Sequence, residues 1–361
     1  MKNCKFDFWL FLIVVLLLLI GILVLASVSA VFSQEKFGRT TYYLFHQLSR
    51  GLLPGIILGF LAFRTPLSFF QKWTGLFILI NLIFMALVFI PGLGVVSGGA
   101  TRWLNFGFVS FQPSEFLKLN FIFYLSIWLA KRKELKSTLL PFLIVVGIVA
   151  LLLIFQSDAS TLGIITLAAG LMYFSANTPL WHSLLILLMA GAGSVFLIKI
   201  ASYRWERLLV FLNPETDPMG MGYQIKQALI AVGSGGIIGL GLGMSQQKFG
   251  RIPQVMSDSI FPIFAEETGF VGSLILILLF LLLLWRGFRI AKKSDDKFSQ
   301  LFAIGFSSWI CLQAFINIGS MISILPLTGI PLPFISYGGS HLVAELIGVG
   351  ILLNISKSIK K

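Results

Sequence analysis

Apolar residues run along this chain of 361 residues in blocks long enough to cross a bilayer, separated by short polar joints. A membrane-spanning helix takes about 20 predominantly apolar residues. On that measure the pattern predicts ten, near 8–31, 44–63, 73–92, 114–130, 138–155, 160–176, 180–200, 260–284, 299–322 and 338–355. The fifth and sixth are joined only by Gln156–Ala159, which predicts a tight helical hairpin. The joint from 201 to 259, about 59 residues, is the one long segment outside the predicted spans. The first run, Phe8 to Ala26, exceeds the roughly 7–15 apolar residues of a signal core. Val28-Ser29-Ala30 is therefore read as part of a retained span and not as a cleavage site. The expectation is an all-α integral membrane protein, a single polytopic domain over 1–361.

Composition sharpens this picture. The chain is 57% hydrophobic, and 11% of its residues are charged, against roughly 25% in soluble domains. Its mean hydropathy is +0.95. The net charge of +13 comes without a basic block on a soluble face, so nucleic acid is not the expected partner. Ten spans would put both termini on one side with the joints at 64–72, 131–136, 176–179 and 285–297. Those segments hold sixteen of the 27 Lys and Arg residues, from Lys2 to Lys361, against the acids Asp7, Glu134, Asp295 and Asp296. Basic residues concentrate in cytoplasmic loops, which makes both termini cytoplasmic. Cys4 and Cys311 give no disulfide framework, and His46, His182 and His341 form no ligand motif.

On that orientation the polar motifs Arg102–Lys118, Gln156–Thr161, 201–259 and Leu325–Ser340 all fall on the outer face. Such convergence predicts an extracytoplasmic site built from several span ends, which suits an enzyme better than a through-going channel. Met256–Gly269 sets Asp258, Glu266 and Glu267 at the mouth of the apolar run Phe270–Leu284. A carboxylate in a membrane helix costs roughly 2.5–3.5 kcal/mol on insertion scales, and neither solubility nor packing explains three of them. Glu266 and Glu267 lie two turns or more below Asp258.

In Gly98–Lys118, Pro113 fits a first helical turn and Glu115 is favoured there by the helix dipole. Lys118 follows at i+3 on the same face. The pair reads either as a structural ion pair or as groups that orient and polarise a substrate. Tyr203–Pro214 is amphipathic, with Trp205 and Arg207 suited to the membrane interface. Gly233–Gly243 lacks dinucleotide or P-loop spacing and predicts close helix packing or a re-entrant turn. Lys248 and Arg251 precede Asp258 in sequence, where cations would hold an anionic leaving group near a base. Leu325–Ser340 is too rich in proline and glycine to be helical throughout, and backbone at that depth is covered by protein or lines a wet cavity. Its hydroxyls (Thr328, Ser336, Tyr337, Ser340) and backbone N–H groups suit sugar or phosphate oxygens. His341 and Glu345 follow at i, i+4. Substrate lining and simple helix entry both fit this segment.

Three of these stretches resemble a known set of signatures. Gly99–Lys118 with its Gln112-Pro113-Ser114-Glu115 core, Ser257–Gly269, and Pro331–Ser340 are similar to those of the SEDS family, the shape, elongation, division and sporulation membrane proteins. The likeness continues to Asn354-Ile355-Ser356, essentially the whole chain. Asn213-Pro214, Gly222-Tyr223-Gln224 and Gln227–Gly250 look more like the division member, FtsW, than the elongation member, RodA. Two departures stand out. Met256, Ser257 and Ser259 replace the family's usual His-Thr and Phe around the aspartate, and Ser157, Ala159 and Ser160 alter the turn that holds Asp158.

The resemblance implies a peptidoglycan glycosyltransferase that polymerises lipid II at the outer face of a bacterial cytoplasmic (inner) membrane, at the division septum. Its implied partners are a class B penicillin-binding protein transpeptidase and other division proteins. It implies Asp258 as the catalytic residue, with Glu115 and Lys118 supporting it. Candidate substrate-binding residues are Arg102, Gln112, Ser114, Asp158, Lys248, Arg251, Ser336, Tyr337, Gly338, Gly339 and Ser340. An α-linked donor and a β-linked product require only one in-line displacement, with a base for the acceptor hydroxyl and cations for the departing diphosphate. No cofactor is assigned, and a divalent cation (Mg or Mn) bridging the diphosphate is one option that the sequence leaves open. The alternatives are a lipid II flippase using Glu266, Glu267 and Glu345 as a proton relay, and a non-catalytic division scaffold.

Overall fold

The computed structural model describes residues 6–97, 100–107, 110–132 and 138–359. Gly98, Gly99, Lys133, Glu134 and Lys136, together with the terminal lysines, lie outside the described residues. A helix occupies each of the ten predicted segments: α1 (Phe8–Phe37), α2 (Tyr42–Gln47) running through a π turn at Leu48–Leu52 into α3 (Leu53–Arg64), α4 (Leu67–Leu87), α5 (Pro113–Ala130), α6 (Leu139–Phe155), α7 (Ala159–Ser175) and α8 (Leu180–Ile200). After α9 (Ser202–Leu212) and α10 (Met221–Ser234) come α11 (Ile260–Lys293), α12 (Lys297–Met321) and α13 (Gly339–Lys357). Among the described residues seven helical units are long and apolar enough to cross a membrane by themselves, and α6 and α7 are shorter apolar helices. The chain is a multi-pass membrane protein. α1 and α11 run well past their predicted ends because hydropathy marks only the hydrocarbon-facing part of a helix, while polar residues such as Gln34 and Lys292 continue the same turns.

Two features depart from the all-helical expectation. β1 (Gly94–Ser97), β2 (Ala100–Asn105) and β3 (Ser110–Phe111) form an antiparallel sheet in that order, pairing Gly94 with Leu104 and Leu104 with Phe111. Val95, Thr101 and Trp103 are the β-branched and aromatic types that fill strands. The second is a break inside α11 at Gly269, where φ is 67° and ψ −164°. The carbonyls of Glu266 and Glu267 accept from Leu240 N (3.0 Å) and Gly241 N (3.1 Å). Phe270 N and Val271 N donate to Gly236 O (2.9 Å) and Ile237 O (3.0 Å). The glycine-rich stretch after α10 is thus spliced backbone to backbone into the break. A Cβ at Gly239 would lie 2.2 Å from Glu267 O, so the close-packing reading of Gly233–Gly243 is the one realised.

α12 and α13 sit at the centre of the bundle, and α8 lies at its edge. Aromatic rings fill the space between α5 and α12, with Phe123 against Phe302 at 4.6 Å and Phe302 stacked on Phe306 at 6.0 Å. At one end, Asp7 caps α1 by accepting from Leu10 N (2.9 Å), pairs with Arg286 and donates its own N–H to Ser356 Oγ (3.0 Å). That cluster gathers the starts or ends of α1, α11 and α13.

Candidate active site

The segment between α12 and α13 is the hub of the opposite end. Asn317, on α12, donates through Nδ2 to Asp258 O and to Ile330 O, both at 2.7 Å. Tyr337 N donates to Met256 O (2.8 Å), and Ser336 Oγ donates to Ser257 O. Ser160, in the first turn of α7, donates to Thr328 O (2.7 Å), and Arg207 of α9 donates to Leu327 O (3.2 Å). Gln112 N donates to Ser340 Oγ (3.1 Å). Motifs far apart in sequence therefore meet around residues 327–340, at one end of the bundle, as the predicted convergence of span ends requires.

Asp258 lies at the mouth of α11, partly exposed, and accepts from Ser257 Oγ at 2.9 Å. Burial pushes its carboxyl above the ordinary carboxylate range; the Ser257 hydroxyl and the charge of Arg207 pull in the other direction without cancelling that shift. A carboxylate whose proton affinity is raised is better suited to taking a proton from a hydroxyl than an ordinary one. Gly329 faces it with a φ of +69°, and even a Cβ there would come within 3.7 Å of Asp258 Oδ2.

Glu115 and Lys118 pair at 2.7 Å and both are buried. Lys118 Nζ also donates to Gln313 Oε1 (2.7 Å) and lies over the ring of Trp309. Gln313 in turn donates to Pro331 O (3.0 Å). The pair thus braces the hub from beneath. Asp158 caps α7 by accepting from Thr161 N (3.3 Å) and accepts from Ser114 Oγ (3.1 Å), which itself accepts from Gln112 Nε2 (2.9 Å). This chain fixes the entry of α5 against that of α7. His341 and Glu345 are buried 3.4 Å apart, and Glu345 accepts from Phe334 N at 2.8 Å.

The placement of Lys248 corrects the sequence expectation. Its ammonium is buried against Glu267 (3.3 Å), Ser27 Oγ (3.0 Å) and Gly243 O. The splice at Gly269 turns residue 248 toward α1 and away from the Asp258 segment. Glu266 is equally committed, accepting from Ser245 Oγ, Gln246 N and Gln247 N. Arg251 is solvent-exposed. The cation whose field reaches Asp258 is Arg207, which the sequence placed at the interface only. Asn317 was also missed, although an amide one turn from Gln313 inside an apolar span is itself a signal.

A cavity of about 840 Å³ opens between α3, α4, α5 and the start of α13. Phe77, Ile80, Phe84 and Phe116 give it an apolar wall; His46, Arg50 and Tyr337–Ser340 supply a polar edge. Asp258 is not in its lining; the hub segment separates the two. The segment docks there on the end of α2: Gly338 N donates to Gln47 Oε1 (2.9 Å), and the Tyr337 hydroxyl is hydrogen-bonded to His46 Nδ1 (2.7 Å). Among the described residues no group of three His, Cys, Asp or Glu is arranged to hold a metal ion.

Residues 8–361 match the FtsW/RodA/SpoVE family, described as Cell cycle protein. Stage V sporulation protein E of Bacillus subtilis (strain 168) is 40% identical over 360 residues, covering 99% of this chain and 98% of the relative. A probable peptidoglycan glycosyltransferase FtsW of Coxiella burnetii is 38% identical over 364 residues, with 98% and 96% covered. A chain of a solved peptidoglycan synthase complex that coordinates polymerization and crosslinking superposes with a TM-score of 0.77 at 28% identity, covering 97% of each chain. The crystal structure of the rod shape determining protein RodA of Thermus thermophilus gives 0.70 at 25% identity, with 99% and 98% covered.

Proposed function

Because the chain belongs to the FtsW/RodA/SpoVE family of cell cycle proteins, we propose that it is a peptidoglycan glycosyltransferase whose general base is Asp258. The donor is a lipid-linked disaccharide of the lipid II type, used from the outer face of the cytoplasmic membrane. The partner is a class B penicillin-binding protein, in keeping with the similarity to a chain of a peptidoglycan synthase complex. The recurrence of FtsW among the relatives supports work at the division septum.

Asp258 carries the reading. It is a partly exposed carboxylate whose proton affinity burial raises, beside the side-chain-free Gly329, where four polar motifs converge. The 4-hydroxyl of the acceptor sugar gives its proton to Asp258 as its oxygen attacks the anomeric carbon, and the diphosphate leaves from the opposite side. Asn317 and Ser336 fix the backbone of Ser257-Asp258, so the carboxylate meets the hydroxyl in one orientation. Glu115, Lys118 and Gln313 hold Pro331, and through it the Gly329 turn. The cavity beside Tyr337–Ser340 offers a prenyl-bearing substrate an apolar wall along the same segment. A Mg or Mn ion would neutralise charge on the diphosphate, with Asp258 the carboxylate on this side that would help to hold it.

The test is glycan-chain formation by the purified protein from labelled lipid II, with and without its transpeptidase partner. A ladder of glycan chains is expected. Movement of lipid II between leaflets by a folded protein that forms no chain in either condition contradicts the reading.

A further inference from the structure

Lys118 and Lys248 are committed to buried carboxylates, yet the reaction expels a diphosphate that needs positive charge. Three guanidinium groups lie on the Asp258 side of the hub. Arg204 and Arg207 are three residues apart on α9 and so share a face. Both lie over the ring of Tyr203, at 5.2 and 5.9 Å. Arg204 donates to Tyr203 Oη (2.8 Å) and Leu197 O (3.1 Å). Arg102, on β2, donates to Gln156 O (3.3 Å) and to Ser157 O, and Tyr203 Oη donates to the same Ser157 carbonyl (3.4 Å). Ser157 is held at a φ of 56°, a conformation a serine rarely adopts, and its carbonyl ties β2 to α9.

All three arginines are partly buried, and among the described residues none has an ion-pair partner. Each guanidinium has five N–H donors and spends one or two on these contacts. Burial opposes the charge of Arg207, Tyr203 and Asp258 favour it, and the charges of Arg102 and Arg204 oppose it. Three like charges gathered at low exposure, with Asp258 the acid whose field reaches Arg207, keep donors free for an incoming anion. Arg207 is anchored on Leu327 O, and Gly329 borders Asp258 two residues on, a span of about 7 Å in extended chain. Between them, Thr328 Oγ1 is buried without a hydrogen-bond partner.

We propose that Arg204 and Arg207, with Arg102, form the site that holds the diphosphate of the donor and of the polyprenyl diphosphate it releases. The proposal rests on the glycosyltransferase reading for the direction of the reaction. The bond from the acceptor oxygen to the anomeric carbon forms, with its proton passing to Asp258. The bond from that carbon to the diphosphate oxygen breaks, and its electron pair leaves with the diphosphate as added negative charge facing the arginines. Base and anion site at opposite ends of Leu327–Gly329 suit an in-line displacement.

The experiment is binding of undecaprenyl diphosphate and undecaprenyl monophosphate to the full chain in nanodiscs, beside polymerisation of lipid II. Wild-type protein is expected to favour the diphosphate. Arg204→Gln with Arg207→Gln lowers that affinity by at least about tenfold, the scale of one lost charge-assisted hydrogen bond, and changes monophosphate binding much less. Arg204→Lys with Arg207→Lys keeps the charge, loses the fork and falls between; it serves where the glutamine variant does not fold. Undiminished diphosphate affinity in folded variants, or an equal loss for both lipids, overturns the site. Asp258→Asn is expected to keep the diphosphate affinity; if it also kept polymerisation, the base assignment alone would fail.

Discussion

Asp258 Oδ2 lies 3.7 Å from where a Cβ would stand on Gly329, a residue whose φ of +69° already favours glycine. That distance is ordinary van der Waals contact, so a side chain that extends beyond Cβ would crowd the carboxylate. Gly329→Ala adds backbone strain of roughly 1–2 kcal/mol and sets a methyl over the base. Gly329→Val is expected to slow polymerisation by at least about tenfold, since small misplacements at a reacting centre are this expensive. Rates beside thermal unfolding midpoints check it, and a full rate in folded Gly329→Val would remove the role given to Gly329.

The pH dependence follows from the direction of the Asp258 shift. Its carboxyl ionises above the ordinary value of 3.8, so the acid limb of the rate profile falls at a higher pH than for an exposed aspartate. The fold favours the protonated form, so that contribution to stability is present below the ordinary value and lost as pH rises through the raised one. Asp258→Asn is therefore expected to melt above wild type at neutral pH and level with it in acid. Equal melting at both pH values would show that burial does not perturb this group.

Glu115 and Lys118 share a buried site, and removing one partner strands the other. Lys118→Met is expected to destabilise by roughly 3–5 kcal/mol, and the double variant Glu115→Gln, Lys118→Met by less. Chemical or thermal unfolding in detergent measures both. Additive losses would mean that the two groups do not act as a pair.

Much of this was legible in the sequence because a membrane core imposes one simple rule, long apolar runs, on every element that crosses it. Pro113 opening α5 and the short Gln156–Ala159 joint were read correctly for local reasons of the same kind. Asp258 stood out because a carboxylate there runs against solvation. What the chain did not disclose depends on distant pairing. Lys248 is ten residues from Asp258 in sequence, yet a backbone splice at Gly269 delivers it to Glu267 and Ser27. Arg207 read as an interfacial residue, whereas the Leu327 and Ser157 carbonyls hold its neighbourhood against the Asp258 turn. The sheet at 94–111 was missed because short strands among apolar spans leave little periodic signal.

The correction for Lys248 makes its own prediction. Lys248→Met leaves Glu267 buried and unpaired, so stability is expected to fall by roughly 3–5 kcal/mol, while the folded fraction keeps its affinity for the diphosphate lipid. Calorimetry and lipid binding on one preparation separate the two. Loss of diphosphate affinity at unchanged stability would restore Lys248 to the site.

The most direct test of the central claim is glycan polymerisation by purified Asp258→Asn with labelled lipid II and the partner transpeptidase. The account predicts a folded protein that binds the lipid and forms no chains. Chains of wild-type length and rate from that variant would contradict it.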